Sequence, residues 1–304
     1  MRYATYILAA LLILTSAADA QPTQTDPADL VKQGQKLEFS GRLTDAVELY
    51  ARALDANPKQ FDAHLGIGRV LDVQGQYAEA RQHIQKAIAL APENGLGPAL
   101  STLAVSYAFE RKAEEAAKHY QRVFDRQVKA GAFESAAGTA NALGRVYLES
   151  GDSDHAEKWY RTGYETAMKV KNTQAQRDLW DMRWHHARGR IAARRKQFDR
   201  ARTHLEEVRA IDRRGTLDEF QKSNVPHLAG YVALYEGKVD EAIAQLSQAD
   251  REDPFILSLL AQAYELKNEA AKARELYQQI LDSPGHSLQV AFSRPLATKR
   301  LAGR

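Results

Sequence analysis

The sequence predicts an all-α protein, a right-handed α-solenoid of about seven helix-turn-helix repeats with a C-terminal capping helix. Two observations support this prediction. One pattern of large and small residues recurs along the chain with an initial period of 34 residues. The composition also favours helix, because Ala, Leu, Glu, Gln, Lys and Arg dominate and only nine of the 304 residues are Pro. Self-similarity at such a period is typical of stacked supersecondary units.

The first twenty residues are predicted to be a secretory signal peptide. Arg2 precedes an apolar run from Tyr6 to Leu14, and Ala18-Asp19-Ala20 supplies an A-x-A ending. Cleavage after Ala20 would leave residues 21–26 as a short linker, whereas an uncleaved segment would be a membrane anchor. Because the apolar run is short for a membrane span, the sequence favours cleavage and a periplasmic or secreted location. The sequence has no Cys, which excludes a lipoprotein anchor.

The first two units show the repeat without a gap. Asn57-Pro58 and Ala91-Pro92 lie 34 residues apart. Alignment on these pairs also matches seven positions of unit one with seven of unit two: Leu30, Gly34, Leu37, Ala46, Tyr50, Ala53 and Pro58 with His64, Gly68, Leu71, Ala80, Ile84, Ala87 and Pro92. Residues three and four apart share a helix face, so the small residues mark places where helices approach closely. Gly41 and Gly75 are predicted left-handed C-caps of the first helices, and the prolines end the second helices.

The pattern continues with lower fidelity to residue 283. Units start near residues 27, 61, 97, 137, 182, 223 and 254, so the solenoid is predicted to cover 27–286. Units four to six are stretched, and residues 153–171 and 173–195 are predicted to form longer helices. Unit five matches poorly, because Arg188 replaces a large apolar residue. Residues 287–304 are predicted to form the helix that covers the open apolar face of the last repeat.

This order of residues resembles the motif of the tetratricopeptide-repeat family. The motif has a large residue, another three later followed by Gly or Ala, a further large or aromatic residue, and then Ala, an aromatic residue, Ala and Pro. The resemblance covers residues 27 to 283 in seven successive units. It implies that the first helices line a concave groove, and that the protein binds a protein or peptide there rather than acting as an enzyme.

No motif in the sequence indicates catalysis, a metal ion or a cofactor. His185-His186 is the only paired histidine, and it lacks the H-E-x-x-H arrangement of zinc proteases. Gly66 and Gly68 have no third glycine and follow no strand, so they do not form a dinucleotide loop. Carboxylate pairs such as Glu114-Glu115 lie on predicted helices with basic neighbours, where solvated surface charges are expected. The sequence therefore predicts no catalytic residue, no metal site and no cofactor.

The inner positions of the family motif give a map of the groove. From these positions we predict nine partner-binding residues: Arg69, Phe109, Asn141, Arg145, His186, Arg190, Arg194, Tyr231 and Tyr235. The same positions include Glu38, Asp72 and His227. Family members that clamp a terminal carboxylate use Lys-x3-Asn and Lys-x3-Arg pairs, which Asn141-x3-Arg145 and His186-x3-Arg190 resemble only loosely.

The middle of the predicted groove is basic. Residues 183–214 hold eleven Lys or Arg against four Asp or Glu, a net charge of +7, whereas the whole chain carries +3. Because guanidinium groups bind carboxylates bidentately, this excess favours an acidic partner segment or a C-terminal carboxylate. The alternative is that the basic run is a solvated outer face.

Three functions remain open from the sequence. The first is a scaffold or adaptor in the bacterial cell envelope. The second is an accessory subunit of a secretion, assembly or enzyme complex, which differs from the first only in its partner. The third is a nucleic-acid-binding helical-repeat protein, which the basic run favours and the predicted signal peptide disfavours, so no nucleic-acid partner is expected.

Overall fold

The protein is all-helical over the part of the chain that the structure describes. A computed structural model describes residues 26–303, which form sixteen helices and no strand. The predicted signal peptide lies outside these residues. Between residues 26 and 303, no helix is both long and apolar enough to cross a membrane.

Fourteen of the helices pair into seven helix-turn-helix units. The pairs are α1 (Pro27–Phe39) with α2 (Leu43–Ala56), α3 (Phe61–Val73) with α4 (Tyr77–Leu90), α5 (Leu96–Phe109) with α6 (Ala113–Lys129), α7 (Phe133–Glu149) with α8 (Ser153–Ala167), α9 (Gln174–Arg194) with α10 (Phe198–Asp212), α12 (Asn224–Glu236) with α13 (Val239–Leu246), and α14 (Pro254–Leu266) with α15 (Ala270–Asp282). A single turn, α11 (Glu219–Lys222), precedes unit six, and α16 (Leu288–Leu301) ends the described chain. Each helix packs mainly against its neighbours in sequence, as in a solenoid.

The stretched middle units contain longer helices. Helix α9 has 21 residues and starts after a Thr173–Gln176 capping box, which confirms the helix predicted over 173–195. It begins eight residues before the predicted unit start at 182. Helix α7 begins at Phe133, four residues before the predicted start at 137. Helix α8 ends at Ala167 rather than 171, where the side-chain amide of Asn172 donates to the carbonyl oxygen of Ala167 over 2.8 Å.

The turn inside each unit requires one residue with positive φ. In units one and two this residue is Gly41 (φ +80°) and Gly75 (φ +85°), which confirms the predicted left-handed C-caps. In unit three the position is held by Arg111, at φ 56°. A side chain at this turn reaches neighbouring units, and that of Arg111 donates from Nη1 to the carbonyl oxygen of Glu149 over 2.6 Å.

Small residues let the first units pack closely, as the repeat pattern predicted. The Tyr50 ring is fully buried between α1 and α3, where it faces Gly34 on one side and Gly66 on the other. A Cβ atom at Gly66 would lie 2.4 Å from Cζ of Tyr50, and one at Gly34 would lie 2.7 Å from its Cε1. The Tyr50 hydroxyl donates to Glu38 over 2.7 Å, and this hydrogen bond further fixes the position of the ring.

We expect Gly66→Ala to lower the free energy of unfolding by about 1–3 kcal/mol, because the added methyl group collides with a ring held on both faces. Urea denaturation followed by circular dichroism measures this loss. The matched control is Gly138→Ala on α7, where a Cβ would meet no atom within 4 Å. That variant is expected to be neutral or to gain up to about 1 kcal/mol from helix propensity. Equal effects at the two sites would contradict the packing account.

The C-terminal helix does more than cover the last repeat. Helix α16 packs on α14 and α15, as a cap does, and it also packs on α5 and α7 of units three and four. The loop before it carries His286, whose Nε2 lies 2.8 Å from Oδ2 of Asp72 on α3. We call the packing of residues 284–301 against units two to four the C-terminal closure. It joins units two and seven, so the solenoid curves back on itself.

Candidate functional site

The candidate site is a cavity of about 650 Å³ on the inner side of the curved solenoid. The first helices of units three to six and the loop before α16 supply most of its lining. Five of the nine predicted contact residues line it, namely Arg69, Asn141, Arg145, His186 and Arg190. Further lining residues include Thr102, Tyr120, Tyr160, Arg183, His227 and Asp253. The cavity is therefore polar and aromatic, with four arginines against one carboxylate among its lining residues.

A buried carboxylate, Glu149, neutralises part of this charge. Glu149 is 5% exposed at the end of α7, and it accepts hydrogen bonds from Arg190 and Arg194 of α9. Arg194 also donates from Nε to the hydroxyl of Tyr231 over 2.6 Å. Burial opposes the charge of Arg190, but neighbouring Tyr160 and Glu149 hold the pKa of its guanidinium above the ordinary value. Arg190 and Arg194 are thus parts of a structural ion cluster that joins units four, five and six.

A second group of side chains surrounds the ring of Phe255 on α14. The guanidinium carbon of Arg145 lies 4.7 Å from the ring centroid, and that of Arg190 lies 5.7 Å from it. The ring of His227 packs edge-on at 6.3 Å, and the ring of His186 lies 4.8 Å from that of His227. Four helices, α7, α9, α12 and α14, supply these side chains, so the group exists only in the folded solenoid. We call Arg145, His186, Arg190, His227 and Phe255 the Phe255 cluster.

The structure places four predicted contact residues away from the cavity lining. Phe109 is 2% exposed, because it packs between Tyr77 and His286 of the C-terminal closure. Tyr231 is fully buried under Tyr235, whose ring stacks on it at 4.7 Å. Tyr235 is partly exposed and lines a separate pocket beside Leu266. Arg194, the fourth, is held by Glu149 as described above.

Two of the predicted residues that line the cavity, Arg69 and Arg145, differ in whether their guanidinium groups are already bound by a carboxylate. Arg69 donates from Nε and Nη2 to the two carboxylate oxygens of Glu38 over 2.6 and 2.7 Å. Arg145, by contrast, makes no ion pair with the carboxylates of residues 26–303, and its Nε and Nη2 are buried without a hydrogen-bond partner in that range. Arg145 is therefore the predicted contact residue with the greatest unused capacity to bind an anion.

The basic run 183–214 divides between the two faces that the sequence left open. Arg183, His186 and Arg190 line the cavity. Several other arginines of the run form ion pairs instead of lining the cavity: Arg195 with Asp154 and Glu157, Arg202 with Asp199 and Glu236, Arg209 with Glu206, and Arg214 with Asp178. The +7 net charge already counts Asp199 and Glu206, which lie inside the run. Carboxylates from outside the run offset a further part of it, namely Asp154, Glu157, Asp178 and Glu236.

Among the residues of this region that the sequence did not indicate are Glu149, Phe255 and His286. Glu149 lies in the last turn of a helix, where a polar residue is ordinarily solvated, and Phe255 follows Pro254 at the start of α14 like an ordinary core residue. His286 belongs to a loop outside the repeat. The one available signal was the charge excess of residues 183–214, which requires carboxylates from elsewhere in the chain.

Burial also affects the histidines of the site. It lowers the pKa of His186 and of His227 well below the ordinary value, and the charges of Arg190 and Arg145 lower both further. On the outer side, burial and the charge of Arg188 lower the pKa of His204 to about 4. The unfolded chain protonates these rings near pH 6.5, whereas the folded chain keeps them neutral. Stability is therefore expected to fall as the pH drops from about 6.5 towards 4.

We expect the free energy of unfolding to decrease by about 1.4 kcal/mol per pH unit for each buried histidine that stays neutral below pH 6.5. Urea denaturation at pH 7.5, 6.0 and 5.0 measures the slope. In His227→Gln the side chain cannot titrate, so the dependence of the free energy of unfolding on pH is expected to be shallower by about 1.4 kcal/mol per pH unit. A slope unchanged by this substitution would show that His227 is not kept neutral by the fold.

Comparison with known proteins agrees with the repeat architecture. Family models described as tetratricopeptide repeat match residues 31–95, 137–167 and 227–287, together more than half of the chain. The chain is 30% identical over 269 residues to the cellulose synthase 1 operon protein C of Komagataeibacter xylinus. That match covers 85% of this chain but 19% of the relative, so the chain spans only a small part of the relative's length.

Three solved structures are similar in fold. A tetratricopeptide repeat protein from Parabacteroides merdae shows a TM-score of 0.53 at 14% identity, over 91% of this chain and 97% of its own. The apo form of RapI shows a TM-score of 0.59 at 11% identity, over 91% of this chain and 99% of its own. PilW, a type IV pilus biogenesis factor, shows a TM-score of 0.50 at 12% identity, over 73% of this chain and 91% of its own. At these identities the likeness concerns the fold alone.

Proposed function

The chain belongs to the tetratricopeptide-repeat family, and on that premise we propose that it is a non-catalytic scaffold or adaptor of the bacterial cell envelope. In this proposal it binds a segment of a partner protein in the concave cavity. Proteins built from these repeats generally mediate protein–protein interaction. The envelope location rests on the predicted signal peptide.

The observation that carries the proposal is the unmatched positive charge of the cavity. Arg145 and Arg183 both line it, and neither forms an ion pair with a carboxylate of residues 26–303. Arg183 lies over the ring of Trp180 at 4.7 Å, and burial lowers the pKa of its guanidinium. An acidic partner segment would supply the missing negative charge, and burial of the pair would strengthen the interaction.

One relative is consistent with a second form of this role. The relative from Komagataeibacter xylinus is named as an operon protein of cellulose synthase. This name supports the alternative in which the chain is an accessory subunit of a secretion, assembly or enzyme complex. A nucleic-acid partner is disfavoured, because carboxylates pair with many arginines of the basic run instead of leaving a continuous basic surface.

The experiment is affinity purification of the tagged protein from envelope extract, with wild type and variants compared quantitatively. Arg145→Ala combined with Arg183→Ala is expected to reduce recovery of the specific partner at least tenfold, because both unpaired cavity charges are lost. Arg190 is left unchanged, since its removal would leave Glu149 buried without its full complement of charge. Circular dichroism checks that helicity is retained.

Arg122→Ala combined with Arg126→Ala on the outer helix α6 is the matched control. Undiminished recovery with the cavity variant would overturn the assignment of binding to the cavity. A partner recovered only in the presence of single-stranded RNA, and lost steeply with salt, would instead favour nucleic-acid binding.

A further inference from the structure

Four residues that line the cavity carry buried nitrogen atoms that the rest of the described chain does not satisfy. Nε2 of His186, Nε2 of His227 and Nε of Arg190 have no hydrogen-bond partner within residues 26–303, and these three residues are 8%, 8% and 5% exposed. Nε and Nη2 of Arg145 are also buried without a hydrogen-bond partner in that range. All four residues line the cavity. A buried polar atom without a partner costs about 1–3 kcal/mol, so a ligand that satisfies several of them gains affinity.

These nitrogen atoms are gathered at one place by the Phe255 cluster. Arg145 and Arg190 both lie against the Phe255 ring, and the two imidazole rings are 4.8 Å apart beside it. The guanidinium of Arg145 is held against an aromatic surface, so less side-chain freedom is lost when it binds a ligand. The arrangement is therefore already formed in the folded protein.

The charge balance identifies the chemistry of the ligand. Guanidinium nitrogens only donate hydrogen bonds, and an imidazole donates from Nε2 in one of its two neutral tautomers. Glu149 engages Arg190 and Arg194 but leaves Arg145 unmatched. Asp253, the carboxylate among the lining residues, accepts from the backbone nitrogen of Phe255 as the N-cap of α14. These four side chains thus offer hydrogen-bond donors and positive charge, so a matching ligand group offers acceptors and negative charge.

We propose that the Phe255 cluster is a binding site for a compact oxyanion, a carboxylate or a phosphate group, held by Arg145 together with His186 and His227. Arg190 helps to hold the site in place through Glu149. An acidic segment of a partner protein is one source of this oxyanion, and for that source the inference rests on the proposed function. A free small molecule that carries a carboxylate or phosphate is the other source. The remainder of the cavity, lined by Thr102, Asn141 and Tyr120 among others, would accommodate the polar body to which the oxyanion is attached.

The test uses inorganic phosphate, succinate and a short glutamate peptide with an amidated C-terminus as probes. Each is titrated into the protein while the ¹⁵N shifts of its imidazole nitrogens are followed by NMR. We expect saturable shifts at Nε2 of His186 and His227 with at least one probe. Arg145→Gln is expected to weaken that binding about tenfold to hundredfold, as for loss of a charge-assisted hydrogen bond. Arg122→Gln on the outer surface of α6 is expected to retain wild-type affinity.

The wild-type titration makes the test independent of whether the variant folds. Absence of shifts at both histidines with all three probes overturns the proposal, as does an equal loss of affinity in the Arg145 and Arg122 variants. Tighter binding of the peptide supports a protein segment as the source, and tighter binding of phosphate or succinate supports a diffusible ligand. Anion binding without capture of any partner would contradict the proposed function while supporting this site.

Discussion

Glu149→Ala is expected to lower the free energy of unfolding by about 3–5 kcal/mol, one of the two largest effects that we predict for a single substitution. Glu149 is 5% exposed and accepts hydrogen bonds from both Arg190 and Arg194. Without it, two guanidinium groups lie in the interior with no carboxylate to offset the cost of their desolvation. Because the three residues join units four and five, the loss weakens the middle of the solenoid.

Urea denaturation followed by circular dichroism measures the effect at pH 7.5. The matched control is Glu206→Ala, which removes an exposed partner of Arg209 within one helix and is expected to cost less than about 1 kcal/mol. If the two losses were equal, the buried cluster would have no special role in stability.

A double-mutant cycle separates the ion cluster from simple loss of volume. Glu149→Gln and Arg190→Gln are each expected to be destabilising, but their combination is expected to cost less than the sum of the two. The reason is that each single variant leaves a buried polar group without its partner, whereas the double variant removes both members of one pair. Strict additivity would contradict direct coupling of the two side chains.

Asp72→Ala is expected to release the C-terminal closure and to lower the free energy of unfolding by about 2–4 kcal/mol. Asp72 is fully buried, and it accepts a hydrogen bond from Ser106 over 2.8 Å and contacts His286 at the same distance. Alanine leaves both of these buried partners unsatisfied. Because His286 precedes α16, the contact between unit two and the end of the chain is lost with it.

Hydrogen exchange measured by mass spectrometry tests where the change occurs. Residues 284–303 are expected to lose protection in Asp72→Ala, while α7 to α9 keep theirs. Asp125→Ala, an exposed substitution on α6, is the control and should leave both regions protected. Retained protection of residues 284–303 in the Asp72 variant would show that packing of α16 alone holds the closure.

The closure bears on the candidate site because His286 and the residues after it form part of the cavity lining. Release of the chain end would widen the cavity towards units two and three. Comparison of anion binding by wild type and Asp72→Ala therefore reports whether this lining contributes to affinity. The Phe255 cluster lies on other helices, so its histidine nitrogens remain available as probes.

Much of the fold followed from the sequence, because it depends on local spacing. A repeat of large and small residues specifies which helix faces pack, and the collision of a Cβ at Gly66 with Tyr50 shows that small residues are required there. The left-handed turns at Gly41 and Gly75 follow in the same way from backbone conformation. The predicted helix over residues 173–195 agrees with α9. The end of α8 was less accurate, since the side chain of Asn172 binds the carbonyl oxygen of Ala167 where that helix ends.

The candidate site could be predicted only in part. The family motif places residues on the inner face, and five of the nine predicted contact residues do line the cavity, Arg145 and His186 among them. The motif does not predict which residues of the inner face are buried by other parts of the chain. Phe109 is covered by the loop at His286, and Tyr231 by Tyr235, so neither presents a free surface in the folded protein.

The sequence by itself therefore determined the helical repeat, the order of its seven units and the inner face on which a site would form. Only the tertiary structure decided which distant residues meet, as in the contact of Asp72 with His286, 214 residues apart, and of Glu149 with Arg190, 41 residues apart. The physical reason is that helix packing within a unit depends on neighbours three and four residues apart, whereas the curvature of a solenoid adds up small rotations over all its units. Those accumulated rotations bring the chain end into contact with unit two and gather the cavity charges around Phe255.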